Sequence, residues 1–160
     1  MSGVIHIMAE RNCGGCTACC DGWATGEAHG HQFYPGTKCH FVCETGCTIY
    51  EDRPEQPCKT FRCLWLRSLA IPAWMKPNLV NALLVLDTTK TGVSFVTIKE
   101  MGQRLDARVL NWAVQAIQRN ALANVRYEID GGWNFLGTKE FLEIMRGTTA
   151  TAAPTNGKQL

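Results

Sequence analysis

The chain has 160 residues, 46% of them hydrophobic, and a formal net charge of +2. That length holds one ordinary domain, or a small metal-built lobe joined to a small hydrophobic one. The charge is too low to argue for nucleic acid or a membrane surface, and every apolar run is too short to span a bilayer.

In chain order, residues 4–8 predict a short strand. The N-terminus has neither a basic stretch nor a sustained apolar one, so a secretory signal is not expected, and a reducing cytoplasm is the expected compartment. Residues 9–63 have weak periodicity and many turn formers. They are expected to be irregular, with no hydrophobic core of their own.

From residue 64 the character changes. Residues 64–71 predict a short helix stopped by Pro72. Residues 79–86 and 93–99 predict two strands around a hairpin loop at 87–92. Residues 104–119 predict a helix, with Leu105, Val109, Trp112, Ala113, Ala116 and Ile117 on one face. Alternation over 125–129 predicts a half-buried strand. Gly131 and Gly132 turn the chain into a last strand at 133–136, and Thr138 caps a final helix that ends at Gly147. The order is β-β-α-β-β-α, read as a small antiparallel sheet with helices on one face. The expected fold class is α+β: a Cys-rich lobe over residues 1–66, a small α+β half over 67–147, and a flexible tail over 148–160.

All nine cysteines lie between residues 13 and 63. An odd count in a reducing compartment argues against a closed disulfide framework, which remains the reading for a chain in an extracellular particle. Thiolate ligation of a metal or an iron–sulfur cluster is the better account. Cys13, Cys16 and Cys19 have the C-x2-C-x2-C spacing that opens a bacterial ferredoxin loop, which favours a [4Fe–4S] cluster. The same spacing serves zinc, the alternative cofactor. Gly14 and Gly15 let the backbone approach the sulfurs closely. Cys20 adjoins Cys19, and neighbouring side chains are expected to diverge, so Cys20 serves a second site, bridges, or stays free. The remaining candidate ligands are Cys39, Cys43, Cys47, Cys58 and Cys63. Nine sulfurs fill two four-ligand sites with one over, or one cluster with the others structural.

His40, directly after Cys39, is a possible additional ligand, and His6, His29 and His31 are weaker ones. Between residues 53 and 76, Arg53, Lys59, Arg62, Arg67 and Lys76 face only Glu55, a local charge of +4. Four thiolates on Zn²⁺ or on a [4Fe–4S]²⁺ core leave a net charge of about −2, so charge compensation explains these cations better than nucleic acid does. Tyr50 and Arg53 are expected to buttress the ligand loop, and Trp23 and Trp65 to shield it. No phosphate loop, dinucleotide fingerprint, zinc-protease helix or nucleophile elbow is present, and no residue stands out as a general acid or base.

The block Cys13-x2-Cys16-x2-Cys19-Cys20, followed by Gly46-Cys47-x-Ile49-Tyr50-x2-Arg53-Pro54 and Cys58-x2-Phe61-x-Cys63, resembles the CxxCxxCC cysteine-cluster family, described as a zinc- or iron-chelating domain. The resemblance covers roughly residues 12–66. Three residues separate Pro54 from Cys58 where family members usually have two. The resemblance implies a metal or iron–sulfur carrier. Some members are similar to flagellin lysine methylases, and short ones look familiar from phage genomes. The expected function is a metal-binding protein in a structural or electron-carrying role. The alternatives are a metal-stapled subunit of a larger assembly such as a phage virion, with a protein partner, and a cluster-dependent redox or methyl-transfer enzyme. The expected location is the cytoplasm, or a virion if the chain is a phage component.

Overall fold

Turn formers dominate the first half of the chain, and short hairpins result. The computed structural model describes residues 11–150. The expected strand at 4–8 lies outside them, as does the expected tail beyond residue 150. The chain divides into two compact units, Met1–Asn78 and Leu79–Leu160.

In the first unit, β1 (Gly26–Ala28) pairs antiparallel with β2 (His31–Phe33), and β3 (Val42–Cys43) pairs with β4 (Gly46–Cys47). His29 and Gly30 form the first hairpin's two-residue loop with φ of 46° and 83°, the left-handed pair that matches strand twist. Gly26 is required where it stands, because a Cβ there would meet Pro57 Cγ at 2.5 Å and Phe33 Cζ at 2.6 Å. A small core does form in this unit, against expectation. Buried Ala28, Phe33 and Cys39 gather Cys20, Ala24, Phe41, Val42 and Cys58 around them. Three of its eight members are cysteines, so apolar packing and candidate ligands share one volume.

The helix expected over 64–71 is only α1, Leu64–Arg67. Ser68 turns extended, with ψ of 120°, and the chain wraps a cation instead of continuing helical. Arg11 donates to the carbonyls of Trp65 at 2.8 Å, Ser68 at 3.0 Å and Ile71 at 2.7 Å, and stacks over the Trp65 ring at 4.8 Å. The Trp65 carbonyl is one that the short helix leaves without an intrahelical partner. Arg11→Ala removes three half-buried hydrogen bonds and is expected to cost about 3 kcal/mol. Urea titration followed by Trp fluorescence checks this; an unchanged midpoint contradicts it.

Helix α2 (Pro77–Val80) takes in residues 79 and 80, the first two of the strand expected over 79–86. Proline at a first helical position is pre-set for a turn, and Asn81 leaves it with φ of 51°. The second unit then contains β5 (Ala82–Thr88), β6 (Ser94–Glu100), α3 (Ala107–Gln118), β7 (Val125–Ile129), β8 (Gly132–Leu136) and α4 (Lys139–Ala150). Together they make an α+β unit with one four-stranded sheet in the order β5-β6-β7-β8.

The expected antiparallel sheet is corrected to a mixed one, because β6 and β7 run parallel. A helix lies between them, and it returns the chain to the end of the sheet where β6 began. Helix α3 starts at Ala107 because Asp106 caps it, accepting from the backbone N–H of Arg108 at 2.9 Å. Its buried face carries Val109, Ala113 and Ala116, as the periodicity requires. Helix α4 runs past Gly147, which has no left-handed φ and therefore does not end it. Thr138 accepts from the N–H of Phe141, the expected cap. Phe141 and Met145 pack against Phe95, with Phe135 and Leu142 beside them. The sheet is not one-sided: Phe95 and Thr97 are buried on one face of β6, and Val96 and Ile98 on the other.

Candidate metal centre

Every cysteine is a free thiol. The Cys13 turn closes with the N–H of Cys16 donating to the Cys13 carbonyl at 3.0 Å, and Gly14 takes φ of +52° within it. A second turn at Thr17, whose carbonyl accepts from Cys20 and Asp21 at 2.8 and 2.9 Å, presents Cys19 and Cys20. Their sulfurs do not diverge as expected; they stand 3.5 Å apart. The kinked turn Glu55–Lys59 carries Cys58, and its wide closure, Thr60 N–H to the Glu55 carbonyl, takes up the three-residue spacing after Pro54. Cys63 is the N-cap residue of α1, and the N–H of Leu66 donates to its carbonyl at 3.0 Å.

Burial and proximity perturb these thiols. Burial pushes Cys13 up, and the neighbouring Cys19 and Cys16 thiols add to it. Burial also raises Cys63, with Cys13, Cys16 and Cys19 as its thiol neighbours. Cys58 is raised by burial and then by Cys39, Cys47 and Cys19. Cys19 is pushed far up, first by its hydrogen bond with Cys20 and then by burial. The opposing influence comes from two cations. Arg53 favours the thiolate forms of Cys13, Cys19 and Cys58, and Lys76 that of Cys13. Lys76 Nζ also lies over the Trp65 ring at 5.6 Å, and 3.3 Å from where a Gly14 Cβ would stand. Lys59, Arg62 and Arg67 are exposed.

Arg53 is held by its own loop. Its Nε donates to the Tyr50 carbonyl at 2.7 Å, and its guanidinium lies over the Tyr50 ring at 3.6 Å. Trp65 is buried and donates its indole N–H to Ala73.

Two expected ligands stand apart from the gathered thiols. Cys43 is exposed, and hydrogen bonds with Thr45 hold its thiol below the ordinary value. His40 is exposed and stacks on His31 with ring centroids 4.0 Å apart, while Phe41 meets both rings edge-on. The third histidine, His29, bonds through Nε2 to the Asp52 carbonyl at 3.0 Å. Lys76 is one of the cations expected to compensate the thiolates; Arg11 is the contributor that sequence reasoning missed. Arg11 lies two residues before Cys13, but a lone arginine gives no sign of the carbonyls it will bind.

Among the described residues, no three His, Cys, Asp or Glu side chains stand at the spacing of a bound ion. The donor chemistry nevertheless suits a thiophilic metal: free, partly buried sulfurs lie close enough to perturb one another, with two cations beside them. Each sulfur swings on one χ1 rotation. Also among the described residues, no helix is long and apolar enough to cross a membrane. No protein-family model, curated protein or solved structure matches the chain.

Proposed function

We propose that the N-terminal unit is a thiolate metal centre, and that the protein carries an iron–sulfur cluster or zinc in a structural or electron-carrying role. One observation carries this reading: free thiols from distant parts of the unit, Cys13 to Cys63, come together, and burial with neighbouring thiols raises the cost of ionising Cys13, Cys58 and Cys63. A bound cation reverses that cost, because thiolates are then its ligands. An iron–sulfur cluster would supply one-electron chemistry, whereas zinc would supply folding energy alone. The ferredoxin-like opening favours the cluster. Anaerobic purification with an absorption spectrum and elemental analysis tests the choice. A broad band near ~400 nm with iron and acid-labile sulfide is the expected result. Stoichiometric zinc in a colourless protein overturns the cluster, and no bound metal overturns the whole reading.

The raised thiols set a pH dependence. Cys13, Cys58 and Cys63 lie above the ordinary thiol value of 9.0, so they are protonated across the neutral range when no metal is bound. Metal binding must expel those protons, which depresses the ligands' folded-state values below their unfolded ones. The stability that the metal contributes is therefore present at neutral and higher pH, and is lost as pH falls. Apparent affinity is expected to rise about tenfold per pH unit for each proton displaced. Calorimetry in two buffers of different ionisation enthalpy counts those protons. An affinity flat between about pH 6 and 8 contradicts thiolate ligation.

A further inference from the structure

Building on the metal-centre reading above, we infer that the cysteines make two separate four-thiolate centres, Cys13–Cys16–Cys19–Cys63 and Cys20–Cys39–Cys47–Cys58, with Cys43 outside both. Strand register and packing define the second set. Cys20, Cys39 and Cys58 pack in one cluster together with Val42. Val42 stands directly opposite Cys47 in the β3–β4 ladder, so their side chains share one face of that hairpin. Cys43 pairs with Gly46 and points to the other face, where it is exposed. The backbone ties the set further, with the N–H of Cys39 donating to the Cys20 carbonyl at 2.8 Å.

The first set is built around the Cys13 turn. Lys76 Nζ is near Gly14 and lies over Trp65, which places that turn beside the start of α1, where Cys63 is the cap. Cys63 has Cys13, Cys16 and Cys19 as thiol neighbours, whereas Cys58 has Cys39, Cys47 and Cys19. Cys19 and Cys20 form the seam: their sulfurs are 3.5 Å apart, Cys20 belongs to the Phe33 cluster, and Cys19 neighbours Cys13 and Cys63.

The test uses the full chain, purified anaerobically with its native metal. Metal per chain is measured for the wild type and for Cys43→Ser, Cys58→Ser and Cys63→Ser. The wild type should hold two centres, Cys43→Ser should keep both, and Cys58→Ser and Cys63→Ser should each keep half. Because a ligand variant can fail to fold, iodoacetamide mapping by mass spectrometry is run on the wild type during graded chelation. Cys43 should label at once, and the other eight should follow in two blocks of four divided between Cys19 and Cys20. One centre per chain, a single block of eight, a different division, or protection of Cys43 overturns the partition while the metal-centre reading stands. A wild type without metal removes both.

Discussion

Chelation at neutral pH is expected to collapse the first unit, residues 11–78, while residues 79–150 keep their fold. The unit's own packing is thin. Its cluster around Ala28, Phe33 and Cys39 has three buried members, Trp65, Ile71 and Met75 add a few more buried side chains, and its strands are two or three residues long. Ordering each residue costs about 1–2 kcal/mol of backbone entropy, and so small a core does not offset that over nearly seventy residues. Structural metal in zinc-finger peptides contributes about 10–16 kcal/mol, enough to decide the outcome. The second unit has its own support in buried Leu84, Phe95, Ile98, Val109, Val125 and Phe141. Amide spectra of the whole chain before and after chelation separate the two. Signals from residues 11–78 should lose dispersion, and those from 79–150 should keep it. Retained dispersion throughout, in a protein shown to be metal-free, contradicts metal-dependent folding.

Gly137→Ala is the single substitution expected to damage the second unit most. Gly137 has φ of +151°, a conformation that residues with a side chain rarely adopt. A Cβ there would stand 2.4 Å from Asn124 Oδ1, 2.9 Å from the Ala123 carbonyl oxygen and 2.9 Å from Asn124 Cα. Two of these are backbone atoms that cannot swing aside. Asn124 is itself buried and bonded on both ends of its amide. Its Oδ1 accepts from the N–H and hydroxyl of Thr138 at 2.9 and 3.0 Å, and its Nδ2 donates to the Ser94 carbonyl at 3.1 Å. The start of α4 is thereby tied to the start of β6. Backbone strain plus the loss of buried hydrogen bonds amounts to about 4 kcal/mol. Equilibrium unfolding by urea, read on far-ultraviolet circular dichroism, should show that loss. A midpoint within error of the wild type would mean that the Asn124 bridge carries no stability.

The elements that were legible in the sequence are those with a strong local period. The stripe from Leu105 to Ile117 announces α3, and the alternation from Val125 to Ile129 announces β7. Parallel pairing of β6 with β7 was not legible, because strand periodicity is the same for either direction. The length of α1 was hidden because it depends on Arg11, more than fifty residues away along the chain. The cysteine block marked, by composition and spacing, which side chains are the candidate ligands. It did not distinguish Cys43 from Cys47, four residues apart, since their separation lies in the β3–β4 register. It also hid the closeness of the Cys19 and Cys20 sulfurs, which a turn at Thr17 arranges against the usual divergence of neighbours.

X-ray absorption at the edge of whichever metal copurifies with the chain reads its ligands directly. Metal–sulfur scattering at about 2.3 Å, with no dominant nitrogen or oxygen shell, is the predicted result. A first shell of light atoms alone would contradict thiolates as the bonds that hold the N-terminal unit.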